Sequence, residues 1–140
     1  MLERERTTFE PPFELWREDG VLHLVMAKGA WVQLRDMKEF IRSVAALDRT
    51  ARSPVLMEYA EHVVVDDRAR ALLRRVCDAQ GHPVALFAME PTSRNQAELF
   101  KHVERPAFPF RVFALREEAF RWARERGELA ELALRSEIDR

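Results

Sequence analysis

The run Pro83-Val-Ala-Leu-Phe-Ala-Met89 constrains the fold more than any other stretch of the chain. It carries no polar side chain at any position. A strand with one wet face alternates apolar and polar residues, whereas an unbroken apolar run of strand length has to be covered on both faces. Cover on both faces means layers on either side of a sheet, which is the α/β class.

The flanking sequence supplies the layers. Phe13-Glu-Leu-Trp-Arg17 alternates, Glu18-Asp-Gly20 is a hairpin signal, and Val21–Met26 reads as the paired second strand. Ala27 to Gln33 is a connection. Leu34, Met37, Ile41 and Val44 then follow at steps of three and four, one stripe of a first helix that Phe40 and Leu47 widen. Val55–Ala60 is a strand and Val63–Val65 a short apolar patch. Asp66 or Asp67 caps a second helix whose inner face holds Ala69, Leu72, Leu73, Val76 and Cys77 and which stops at Gly81. Thr92 or Ser93 is expected to cap a third helix running to about Val103. Pro106 and Pro109 bracket an extended link to the strand Phe110–Ala114. A last helix from about Arg116 carries Ala119, Phe120 and Ala123 inward, and Gly127 is expected to divide it from a short charged helix with Leu129, Leu132 and Ala133.

The order β-β-α-β-α-β-α-β-α predicts a mixed five-stranded sheet with helices packed on it. The expected organisation is an N-terminal arm over residues 1–12, a domain over 13–126 and a C-terminal charged helix over 127–140. At 140 residues, 47% of them hydrophobic, one domain can build its core without staples. The balance of 23 basic and 24 acidic residues gives no electrostatic case for nucleic acid or an anionic membrane. No apolar run approaches the roughly 20 residues of a membrane span. The lone Cys77 has no partner for an internal disulfide, the N-terminus lacks the apolar core of a signal peptide, and the expected location is cytoplasmic.

The element order resembles that of the STAS domain, the fold of SpoIIAA-like anti-sigma-factor antagonists. In that family an acidic residue ends the third strand, and an Asp-Ser pair follows eight and nine residues on. Here those positions hold Glu58 and Asp66-Asp67. The chain is similar in particular to an uncharacterised bacterial STAS/SEC14-like group. The resemblance rests on Arg68-Ala-Arg-Ala71, Pro106-Ala-Phe-Pro109, Phe113 and Ala119-Phe-Arg-Trp122. It implies a SpoIIAA-like sheet and a regulatory role through protein contact. The serine that antagonist members phosphorylate is Asp67 here, and no Ser or Thr lies between Tyr59 and Gln80, so a phosphorylation switch at that site is not expected. Asp67 is either a standing mimic of the phosphate, with less charge, or a helix cap.

Three functional readings follow. The first is a non-enzymatic regulatory or scaffolding module meeting a protein partner through Glu61, His62, Asp66, Asp67, Arg68 and Arg70. The second is a small-molecule or lipid-binding module taking a small apolar or anionic ligand. Trp31 and Phe108 would supply its apolar loops, unless they cover the end of the sheet, and Thr92, Ser93, Arg94 and Asn95 would supply an anion-binding helix start. The third is a metal-dependent enzyme built on Glu58, Asp66 and Asp67 with Glu61 and His62. The acidic run has no recognised ligand spacing, no Ser-His-Asp or Cys-x-x-Cys arrangement occurs, and four glycines do not build a phosphate loop. No catalytic residue, metal or cofactor is therefore assigned. His23, between Leu22 and Leu24, is expected at the surface or hydrogen-bonded, and Cys77 in the core. Spare apolar surface on a small domain makes a homodimer an expectation too.

Overall fold

The first hairpin closes through Asp19 and Gly20, whose positive φ angles of 56° and 75° are the left-handed pair that a type I′ turn requires. It joins β1 (Phe13–Glu18) to β2 (Val21–Met26) with Glu18 opposite Val21. The computed structural model describes residues 12–48, 53–76 and 82–138. Cys77, Gly81 and nearly all of the N-terminal arm lie outside these residues.

Strands β4 (Val55–Tyr59), β6 (Val84–Ala88) and β7 (Phe110–Phe113) add to the hairpin, giving the order β1-β2-β4-β6-β7. Only β1–β2 is antiparallel; the other pairs are parallel. The parallel strands are joined by helices: α1 (Leu34–Leu47), α2 (Asp67–Val76) and α3 (Pro91–Glu104), and α4 (Arg116–Ile138) follows β7. This is the mixed five-stranded sheet that the order of elements predicts.

Strand periodicity sorts the sheet into two faces. Leu22, Leu24 and Met26 with Val55, Met57, Val84 and Leu86 face α1, α2 and α3, which contribute Met37, Phe40, Val44, Ala69, Leu73, Ala97 and Phe100. Val21, Leu56, Ala85 and Phe113 face α4. One helix thus covers a whole face. It can approach closely because its inner residues Ala119 and Ala123 are small and meet Ala85 below, all three fully buried.

Four local readings are corrected. Ala27–Gln33 is not simply a connection: Trp31–Val32 forms β3, which pairs in parallel with β5 (Val64–Val65), so the apolar patch is the partner strand. Asp66 amide donates to the Val32 carbonyl at 2.9 Å and Val64 amide to Ala30 at 2.9 Å. Thr92 and Ser93 do not cap α3; Glu90 is its N-cap and Pro91 opens it, since proline at the first helical position has no amide to satisfy. Gly127 does not break α4, which runs through it to Ile138, so the expected C-terminal helix is its continuation. A glycine inside a helix costs only about 1 kcal/mol relative to alanine.

His23 is the fourth. It is 1% exposed, and neither ring nitrogen has a hydrogen-bond partner. Its ring stacks on Trp16 (5.2 Å, 7°) and lies against Phe120 at 5.5 Å. Alternation with Leu22 and Leu24 put it on the opposite face of β2, but α4 covers that face as well. An unpartnered buried polar group costs about 1–3 kcal/mol. Replacing it by an apolar side chain of similar size, His23→Leu, is therefore expected to raise stability by about 1 kcal/mol in denaturant unfolding at neutral pH. A lower unfolding midpoint would mean that the aromatic stack outweighs the orphaned nitrogens.

Candidate functional site

The two-stranded β3–β5 ladder brings together residues that are far apart in sequence. It sets Trp31 beside Val64 and delivers the chain into α2. The Asp66 side chain accepts the Arg68 amide at 2.8 Å, a helix cap as expected. Arg70, one turn on, donates to the Val65 carbonyl at 2.9 Å and pairs with Asp67. Opposite this wall runs α3, with Gln96, Leu99, Phe100 and Val103.

Between them lies an open groove of about 910 Å³. Its apolar lining is unusually wet: Trp31 is 60% exposed, Val64 49%, Leu99 61% and Val103 62%. Charges rim it. Asp67 projects into solvent at one end, and Glu104 pairs with Arg74 (3.1 Å) at the other. An apolar floor with a polar rim is the anatomy of a protein-docking patch.

The groove unites residues that the sequence placed in two different sites, Trp31 from the ligand set and Asp66, Asp67 and Arg70 from the partner set. Arg68 is exposed on the same first turn of α2. The other candidates lie elsewhere. Phe108 is 2% exposed and packs edge-on against Phe110, so it is a core residue and not part of a surface patch. Ser93 is buried, Thr92 and Asn95 are exposed on α3, and Arg94 donates to the carbonyls of Ala88 (2.8 Å) and Met89 (2.7 Å), tying the start of α3 to the end of β6.

The acidic run disperses. Glu58 accepts from Arg116 at 3.0 Å, Glu61 pairs with Lys28 at 3.4 Å, and Glu90 accepts the His62 amide at 2.8 Å with the His62 ring 3.7 Å away. Asp66 and Asp67 serve α2. Among the described residues no three His, Cys, Asp or Glu side chains converge as metal ligands would. Leu99 and Val103 are site residues that the sequence reading missed. Their signal was an i, i+4 apolar pair that extends the Ala97 and Phe100 face of α3 sideways, by roughly 110° around the helix.

Beneath the groove, and sharing Val65, Arg70, Gln96 and Phe100 with it, is an interior crevice of about 30 Å³ that reaches Met57 and Tyr59. That volume holds a water or two and falls far below the roughly 300 Å³ at which ligand sites begin. Burial pushes the Tyr59 hydroxyl up to about 12 from its ordinary 10, against the opposing pull of the Arg70 guanidinium. The fold therefore disfavours the phenolate. Between pH 10 and 12 the unfolded chain gives up this proton first, and stability falls as pH rises through that window. Tyr59 is the only tyrosine. A phenolate absorbance titration of the native protein should have its midpoint near 12 rather than 10, and Tyr59→Phe should flatten the alkaline loss of stability; a midpoint at the ordinary value would mean that the crevice is open to water.

The comparisons agree with this architecture. The crystal structure of an uncharacterised protein of the DUF3478 family from Shewanella loihica PV-4, described as having a SpoIIAA-like fold, superimposes with a TM-score of 0.57 at 11% identity. The match covers 79% of this chain and 91% of that one, and at that identity it shows the fold alone. No curated protein matches the sequence. Among the described residues no helix is long and apolar enough to cross a membrane. A family model matches residues 15–126, the sheet together with all four helices as far as the far edge of the sheet, and by that match the chain belongs to DUF7793, a domain of unknown function.

Proposed function

We propose that this domain is a non-enzymatic regulatory or scaffolding module that acts through protein–protein contact, with the groove between β3–β5, α2 and α3 as its docking surface. The observation that carries the reading is the exposed apolar lining of that groove, Trp31, Val64, Leu99 and Val103, framed by charged side chains. A tryptophan at the mouth of an apolar groove is the residue type that most often anchors an interface. The resemblance adds to this. The first turn of α2, where antagonist domains carry their phosphorylated serine, forms one wall, and here it presents Asp67. Asp67 pairs with Arg70 on its own helix, so a partner's cation would compete with that contact.

The other readings have less support. The crevice below the groove is too small for a lipid or a cofactor. The carboxylates that an enzyme would need are engaged with separate partners. The reading assigns the module to the cytoplasm, in keeping with its single cysteine.

The test is partner recovery from the source lysate with the purified chain and two variants. Leu99→Asp combined with Val103→Asp should abolish recovery of a specific partner while leaving circular dichroism and Tm unchanged, because both side chains are already exposed. The exchange Asp67→Arg with Arg70→Asp should weaken recovery about tenfold through the rim charges. If all three proteins recover the same material, the groove is not the docking surface and the reading fails.

A further inference from the structure

Helix α4 is longer than the sheet that it covers. Residues 116–127, twelve residues at ~1.5 Å each, span about 18 Å, close to the ~17 Å of a five-residue strand. Gly127 marks the far edge: a Cβ there would stand 3.4 Å from the Pro54 ring and 3.7 Å from the Gly20 carbonyl, so the helix backbone touches the start of β4 and the hairpin turn. Yet α4 continues to Ile138. The residues past Gly127 overhang the sheet by roughly 16 Å.

This overhang carries an apolar stripe. Leu129 and Leu132 are each 59% exposed, and Ala133 extends the stripe. At ~100° per residue the two leucines lie roughly 150° around the helix from Ala119, Phe120 and Ala123, which pack on the sheet. A straight helix cannot turn them onto its own domain.

The charges beside the stripe fit a second copy of the same helix. Glu128 and Arg135 are seven residues apart and so flank the same side of the stripe. In an antiparallel pair, like flanks face each other with their order reversed. Glu128 then meets Arg135 of the partner subunit, and the reciprocal pair forms on the other side of the axis. A parallel pair would set Glu128 against the opposite flank one turn on, where Ala133 offers no charge. Among the described residues Arg135 pairs within its own helix with the exposed Glu131, at 3.8 Å.

We propose that the α4 overhang is a self-association surface, two copies packing antiparallel about a two-fold axis through Leu129 and Leu132. Two helices of this length bury less than the ~1,200 Å² of the smaller stable interfaces, so the dimer is weak, dependent on concentration and sensitive to salt. The surface lies on the α4 side of the sheet and the docking groove on the other, so either reading can fail without the other.

The experiment is sedimentation velocity of the full chain, with reductant to keep Cys77 out of the result, from about 1 to about 200 μM. The wild type should pass from monomer to dimer. Leu129→Asp with Leu132→Asp should remain monomeric throughout. Glu128→Arg and Arg135→Glu should each weaken association about tenfold, and the two together should restore it, because both reciprocal pairs are then reversed. All four positions are exposed, so the variants should keep the wild-type circular dichroism. A monomer at the highest concentration overturns the proposal, as does a dimer that survives the leucine changes or is lost instead with Leu99→Asp. Charge reversals that do not rescue each other overturn the antiparallel arrangement.

Discussion

Both faces of β4 and β6 have to be kept from water, and the rest of the molecule follows from that requirement. Val55, Leu56, Met57 and Val84, Ala85, Leu86 are all buried, alternately against the three-helix layer and against α4. Their backbone groups are satisfied within the sheet, and their side chains supply the apolar area that offsets the chain entropy lost on folding. Parallel pairing of these strands needs a crossover between each pair, which is why α2 and α3 lie where they do.

The two faces are covered unequally. Three helices share the first face, and the seam between α2 and α3 is where the groove opens. On the second face a single helix has to suffice, and it does so by close approach, alanine against alanine, with aromatic residues extending the contact sideways. Phe120 covers His23, and Trp122 lies 5.9 Å from Phe113. Arginines complete the cover: Arg116 and Arg124 lie over Phe120 and Arg126 over Trp122. The unsatisfied imidazole of His23 is a consequence of this thin layer, since a helix lined by small residues and rings offers it neither donor nor acceptor.

The layers and the order of elements along the chain were legible because they rest on apolar patterns four or more residues long. The β3–β5 ladder was not, because two residues have no period, and a strand that short exists only when its partner is already in place. Phe108 stayed open between a surface loop and cover for the sheet end because its prolines describe the backbone, extended, and say nothing of the neighbours; Phe110 and the sheet edge supply those. His23 read as a surface or hydrogen-bonded residue because alternation reports only which face of a strand a residue takes. It cannot report whether a distant helix returns to cover that face. The groove was half legible. Asp66, Asp67, Arg70 and Trp31 were singled out, but in separate sites, since only the ladder between residues 31–32 and 64–65 joins them. Leu99 and Val103 read as ordinary helix positions until α2 and α3 are set side by side.

The ladder also works as a splice. Val32 leads directly into Gln33, whose backbone amide is held by Asp36 at 2.8 Å at the head of α1, and Val65 leads into Asp66 at the head of α2. Two helix starts that would otherwise hang on independent loops are locked abreast by a few backbone hydrogen bonds. A molecule resting on Trp31 therefore meets a pre-assembled wall and not two loose ends, and little ordering is left to be done when contact is made.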